Sequence, residues 1–198
     1  MNTIVKSAKP LHDLLQSIIS LPNEEWNWLQ SSLITRKFNP GEILFKPGDL
    51  DAGIHYLQNG LVRYFYLTKD GRELNHSFAA EGNLVACFPT FVGNEPCTFF
   101  IEALEETNTL VIPSSTVQVF SYRNKCWNLL THRLFAHIAL RKATREAEFL
   151  QYSAEARYRR FLSQYAELAH RLPQYHIASY LGITPVALSR IRKRINLG

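Results

Sequence analysis

The sequence predicts an α+β fold: a short helical opening, a compact antiparallel β-sandwich or barrel, one long helix, and a C-terminal helix-turn-helix. Three observations carry that expectation. Glycine-marked turns recur at roughly ten-residue intervals between Asn39 and Gly71. From about residue 126 past residue 150 there is neither proline nor glycine. Residues 174–198 then combine a small residue, a turn glycine and a Thr-Pro step at helix-turn-helix offsets.

The opening segment to about Thr35 reads as helical. Leu14, Leu15, Ile18 and Ile19 group apolar side chains, Leu21-Pro22 breaks the run, and Asn23-Glu24-Glu25 starts a second helix with Trp26 and Leu29. From Phe38 the period changes. Apolar runs at residues 43–45, 54–57 and 61–67 alternate with turns at Asn39-Pro40-Gly41, Pro47-Gly48-Asp49, Asn59-Gly60 and Lys69-Asp70-Gly71. Asn59-Gly60 and Asp70-Gly71 are the best hairpin candidates, because both pairs tolerate positive φ. Further strands are expected at residues 74–78, 98–102 and 109–112.

After Pro113 the pattern becomes helical again. Ser114-Ser115 can cap a short helix to about Tyr122. In the long helix Trp127, Leu130, Leu134 and Ile138 recur every three or four residues, and Ala147, Leu150 and Ala154 resume the stripe after a basic interval. A helix of this length beside a small β-domain can pair with its copy in a second chain or pack on its own barrel. Residues 153–172 read as one more helix, with Phe161, Leu162, Tyr165 and Leu168 apolar and Pro173 ending it.

In the last segment Ile177, Ala178 and Leu181 give a short helix one apolar stripe, with Ala178 small enough for a crossing helix to approach. Gly182 suits the left-handed stop, and Thr184-Pro185 supplies an N-cap and a proline at the first helical position. In the second helix Leu188, Ile191 and Ile195 face inward, leaving Val186, Ser189, Arg190 and Lys193 opposite. Arginine can fork onto guanine and valine can touch a thymine methyl, so this face is expected to read duplex DNA. Arg192 and Arg194 flank it as expected phosphate contacts, and Thr184, with Gln174 and Tyr175 at the start of the first helix, completes the expected DNA-binding set. The competing reading is an ordinary helical hairpin with a solvated basic end.

Charge is partitioned along the chain. The net charge is +5. Residues 1–72 stand at +1; residues 73–122 have no Lys or Arg and six acids; residues 123–198 carry fourteen basic and four acidic side chains. The positive field therefore coincides with the helix-turn-helix, where it attracts phosphates and makes binding salt-dependent. No apolar run approaches a membrane span, and the opening segment, with Lys6 and Lys9 but an interrupted apolar stretch, is a poor signal peptide. Cys87, Cys97 and Cys126 are too widely spaced for a paired-cysteine zinc motif, so reduced thiols in a cytoplasmic protein are expected. His132 and His137 fall on different helix faces, and His55 and His76 stand alone. No acid/base, nucleophile or metal constellation can be assembled, so neither catalysis nor a cofactor is expected. Cys87 and Cys97 flank the expected pocket, where a thiol switch is conceivable beside the plainer reading of buried structural cysteine.

Barrel, long helix and helix-turn-helix in that order resemble bacterial transcription regulators of the Crp/Fnr family, over nearly the whole chain. In the barrel the resemblance rests on residues 40–45, Gly48-Asp49 and residues 56–63; at the C-terminus it rests on Ile183-Thr184-Pro185 and Arg190-Ile191. It implies a cyclic-nucleotide-binding-like β-roll, a double-stranded jelly roll, over residues 1–125, a dimerisation helix over 126–152 and a DNA-binding domain over 153–198. It also implies a homodimer on a two-fold operator, a small-molecule effector in each roll, and contact with RNA polymerase.

Two departures shape the expectation. Members that bind a cyclic nucleotide hold its phosphate with a Gly-Glu pair and a later Arg-Ser/Thr-Ala sequence. Here the corresponding stretches read Glu81-Gly82-Asn83-Leu84-Val85 and Glu95-Pro96-Cys97-Thr98-Phe99, without the arginine. Asn83, Leu84, Cys97 and Thr98 are then the expected effector-pocket residues, and the effector is not a standard cyclic nucleotide. The family also continues into a β-hairpin wing, whereas this sequence stops three residues past Ile195, so a smaller DNA contact is expected. The alternative function is a ligand-binding or protein-interaction module without specific DNA binding.

Overall fold

The computed structural model describes residues 8–50, 53–92 and 95–196, so Lys6 and the tail Leu197-Gly198 lie outside the described residues. The chain divides into two compact units, Met1–Tyr64 with Phe78–Ala136, and Phe65–Ser77 with His137–Gly198. The first unit opens with helices α1 (Lys9–Ile18) and α2 (Asn23–Ser32). Strands β1 (Ile34–Phe38), β2 (Ile43–Phe45), β3 (Ile54–Asn59), β4 (Leu61–Leu67), β5 (Glu73–Ala80), β6 (Leu84–Val85), β7 (Phe100–Ala103) and β8 (Thr107–Ile112) follow, with α3 (Phe88–Val92) between β6 and β7. Helices α4 (Ser114–Gln118) and α5 (Phe120–Arg123) lead into α6, which runs unbroken from Lys125 to Gln151.

The strands form two four-stranded sheets in the orders β1-β8-β3-β6 and β2-β7-β4-β5. Alternation along β3 explains the two cores. Leu57 points between the sheets with Phe45, Val62, Val85, Phe99 and Ile101, while Tyr56 joins Leu110, Leu11, Leu15, Leu29 and Trp127 beneath the helices. Tyr56 pairs with Leu110 across an antiparallel β3/β8 register, whose shift between Leu57 and Asn59 bends the strand end.

Three details depart from the sequence expectation. The opening segment, expected to be helical to about Thr35, gives way at Ile34 to strand β1, which was not expected. Its first four side chains are exposed and backbone pairing to β8 holds it, so no hydrophobic pattern announces it. Strand β6 is two residues long and carries too little pattern to detect. Asn59-Gly60 is a corner rather than a hairpin, because β3 and β4 belong to different sheets. Gly60 has φ +107°, and a Cβ there would sit 2.3 Å from Thr107 Oγ1, so close backbone approach demands glycine. Asp70-Gly71 does join neighbouring strands of one sheet.

Buried polar groups in this unit are paired. Glu25, 6% exposed, accepts hydrogen bonds from Trp127 Nε1 at 2.7 Å and Arg123 Nε at 2.8 Å, tying α2 to the start of α6. Arg63 and Glu102 form a buried ion pair with Nε to Oε2 at 2.6 Å. His55 lies beside Phe45, its Nδ1 3.2 Å from Thr109 Oγ1. Burial, aided by Arg36, lowers its pKa to about 4.

His55 thus stays neutral when folded but takes a proton near pH 6.5 when unfolded. Its stabilising contribution is present above pH 6.5 and is lost as pH falls toward 4, by about 3 kcal/mol at most. Unfolding followed by circular dichroism from pH 7 to 4.5 is expected to show a falling midpoint, with a shallower fall in His55→Gln.

Candidate nucleic-acid interface

In the second unit helices α7 (Ala154–Gln164), α8 (Gln174–Leu181) and α9 (Pro185–Asn196) follow the end of α6. The helix expected to reach residue 172 stops at Gln164. Tyr165 leaves helical geometry at φ −120°, ψ 35°, and its buried ring packs against Phe161 and Tyr180 at 5.3 and 5.7 Å. Residues 165–171 continue as turns although Ala166, Glu167 and Leu168 are good helix formers, so aromatic packing overrides local propensity. Ser153 caps α7 by accepting from Ala156 N at 3.3 Å.

The turn between α8 and α9 is closed by its own backbone. Gly182 has φ +68°; its N–H donates to Ser179 O at 3.1 Å, and that of Ile183 donates to Ala178 O at 3.0 Å. Thr184 Oγ1 accepts from Ala187 N at 3.1 Å, with Pro185 as the first helical residue. Ile177, Ala178 and Leu181 are buried as the stripe requires, and His176 and Tyr180 join them.

On α9 the two faces separate cleanly. Leu188 and Ile191 are buried, with Ile195 half-buried beside them. Val186 (61% exposed), Ser189, Arg190 and Lys193 are exposed at i, i+3, i+4 and i+7 on the other side. Arg192 is half-buried at the flank. Arg194 is exposed and lies 3.4 Å from Glu155, which also pairs with Arg159 at 3.1 Å. Gln174 and Tyr175 are exposed at the start of α8, and Thr184 is exposed while its hydroxyl serves as the cap.

Several supporting residues escape sequence reasoning. Arg145 Nη2 donates to Tyr180 O at 2.6 Å and Arg157 Nη2 to Leu181 O at 3.1 Å, so two cations neutralise the carbonyl end of α8. Both guanidinium groups lie over the Phe149 ring at 4.7 Å, and Arg145 is 3.8 Å from the Tyr180 ring centre. Burial lowers the pKa of Arg145 and raises that of Tyr180, where Tyr165 adds to the rise. The β4–β5 hairpin packs on α8. Asn75 N donates to Ser179 Oγ at 2.9 Å, Ser179 Oγ donates to Glu73 O at 2.9 Å, and Asn75 Nδ2 donates to His176 O at 3.1 Å. A basic interval in α6 hints at the arginines, but nothing local links Asn75 to a helix a hundred residues away.

The four expected effector residues differ in their surroundings. Asn83 is exposed in a turn, its Nδ2 donating to Ala80 O at 3.1 Å. Thr98 is exposed, and Cys97 is buried between the sheets. Leu84 alone borders a cavity, of about 40 Å³, with Leu15, Ile54, Phe88, Phe120 and Leu134 around it. That volume is far below the roughly 300–1,000 Å³ of a ligand pocket. Among the described residues no group of three or more His, Cys, Asp or Glu could hold a metal, and no helix is long and apolar enough to cross a membrane.

The cyclic nucleotide-binding domain model matches residues 35–122, the strands and α3–α5. Over 164 residues the chain is 25% identical to the nitrogen fixation regulation protein FixK of Rhizobium meliloti, covering 78% of this chain and 71% of that protein. A putative transcriptional regulator of the Crp/Fnr family from Eubacterium rectale superposes with a TM-score of 0.70 at 18% identity, over 89% of this chain and 84% of that one. A putative cAMP-binding regulatory protein from Silicibacter pomeroyi gives 0.61 at 25% identity, over 94% and 89%. Residues 35–122 match the cyclic nucleotide-binding domain, and the chain shares the fold of Crp/Fnr-type regulators.

In the roll Arg63 is committed to Glu102, and residues 73–122 contain no lysine or arginine. The helix-turn-helix, by contrast, is complete through α9. Its angle rests on Gly182, where a Cβ would meet the Phe149 ring at 3.0 Å in a backbone conformation side chains rarely adopt. Gly182→Ala is expected to cost about 1 kcal/mol or more, and Thr184→Ala about 1 kcal/mol through the lost cap. Urea unfolding followed by tyrosine and tryptophan fluorescence checks both.

Proposed function

We propose that the protein is a sequence-specific transcriptional regulator that binds a two-fold duplex operator as a homodimer, inserting α9 into the major groove. The observation that carries this reading is the division of α9: Leu188 and Ile191 buried, with Val186, Ser189, Arg190 and Lys193 exposed together. The surrounding excess of basic side chains over residues 123–198 supplies the attraction to phosphates. Leu129 and Leu140, both exposed and three turns apart on α6, offer one stripe for a second copy. The paired recognition helices then address half-sites about 34 Å apart.

The effector is not a standard cyclic nucleotide. A phosphodiester buried in the roll without a paired cation costs several kcal/mol, and residues 73–122, where the resemblance puts the phosphate-binding sequence, contain no lysine or arginine. Whatever acts on the roll changes the separation of the recognition helices.

Selection of bound duplexes from a random pool is expected to return one palindrome, bound more weakly as salt rises. Arg190→Ala is expected to lose about 1–3 kcal/mol of discrimination at one position of each half-site. Arg194→Ala is expected to weaken all duplexes alike and to reduce the salt slope by about 1. Equal, weak affinity for every duplex at moderate salt overturns the reading. Cyclic AMP is expected to leave the melting temperature unchanged.

A further inference from the structure

Helix α9 carries Arg190, Arg192, Lys193 and Arg194, and one of these cations is tied to a carboxylate. Among the described residues Arg190, Arg192 and Lys193 form no ion pair, whereas Arg194 Nη1 lies 3.4 Å from Glu155 Oε2 on α7. The other carboxylate oxygen, Oε1, accepts a hydrogen bond from Arg159 Nη2 at 3.1 Å, one helical turn along α7. Glu155 also stands in the first turn of α7, where the positive end of the helix favours an anion. The two arginines are therefore unequal. Arg159 is within ordinary hydrogen-bond range, and Arg194 is just beyond it, held by charge. The Arg194 and Glu155 side chains are 68% and 30% exposed, so neither charge needs the other to offset burial.

We infer that Glu155 is a positioning residue for DNA binding: it competes with the duplex backbone for Arg194 and so sets the affinity for every duplex without touching DNA. The inference rests on the reading of α9 as the DNA-binding helix and of Arg194 as a phosphate contact. As a duplex approaches, the Arg194 guanidinium exchanges the carboxylate for a phosphate oxygen, while Arg159 keeps Glu155 paired. The exchange buries no unpaired charge, so its cost is that of separating an exposed pair. Glu155 then remains on α7 as a negative charge near the phosphate that has taken Arg194, and this repulsion fades with salt. Both effects weaken binding.

Sequence preference is untouched by this competition. Arg190 and Lys193, exposed with Val186 and Ser189, have no carboxylate partner among the described residues and keep their donors for bases. Phosphate contacts position the protein without specifying sequence, so a tether on Arg194 lowers specific and non-specific binding by the same factor. A tether on Arg190 would instead weaken the correct sequence most. Loss of Glu155 through a merely structural role acts in the opposite direction, because a loosened α7 weakens binding. A gain in affinity therefore separates the two roles.

The test measures binding of the purified full chain, by fluorescence anisotropy over a range of salt, to a duplex recovered from the random pool, a shuffled duplex and heparin. Glu155→Gln is expected to bind all three about two- to fivefold more tightly at low salt, with the ratio between the duplexes unchanged and the gain fading as salt rises. Glu155→Asp, which keeps the charge, is expected to bind like the parent. In an Arg194→Ala background the gain from Glu155→Gln is expected to be mostly lost. Equal or weaker binding by Glu155→Gln, or the same gain with and without Arg194, overturns the proposal. Heparin is a sulfated polyanion without base sequence, so its arm decides the role of Glu155 whether or not any duplex is preferred. Equal affinity of the parent for both duplexes overturns the regulator reading alone.

Discussion

Two guanidinium groups close the carbonyl end of α8, and the geometry of the helix-turn-helix depends on them. A helix of eight residues has few internal hydrogen bonds and a concentrated negative end. Arg145 and Arg157 take the Tyr180 and Leu181 carbonyls, leaving Gly182 free to reverse the chain in the left-handed region. The aromatic surfaces of Phe149 and Tyr180 hold both cations in place. With α8 fixed, Leu188 and Ile191 find their pocket, and the basic side of α9 can face outward only in one orientation.

The roll answers the opposite requirement. Its interior must exclude water between two sheets, so its polar residues are paired internally: Arg63 with Glu102, His55 with Thr109, and the Cys97 thiol with Phe99 O. A core organised in this way leaves no obvious site for an anion. The fold of a cyclic nucleotide-binding domain and the chemistry of one are separable, since strand register fixes the first and a few charged side chains fix the second.

Local signals were legible wherever one residue type answers one backbone need. Gly182, Thr184 and Pro185 marked the turn because each solves a steric or hydrogen-bonding problem at its own position. The stripe of Leu188 and Ile191 was legible for the same reason. The end of α7 was not, because Tyr165 is decided by Phe161 and Tyr180 rather than by its neighbours in sequence. Strand β1 was invisible because backbone pairing holds it while its first four side chains face solvent. Asn59-Gly60 looked like a hairpin since sequence records a tight turn without recording which sheet each arm joins.

The sequence alone determined the order of elements, the two faces of α9, the segregation of charge and the lack of a cassette arginine, all of which are written in periodicity and residue type. Tertiary structure alone decided that Cys97 is buried between the sheets while Thr98 beside it is exposed, that Arg145 and Arg157 serve α8, and that Asn75 meets His176. The reason is common to all three: sequence spacing fixes a side chain's direction within its own element, whereas convergence depends on how separate strands and helices are brought together.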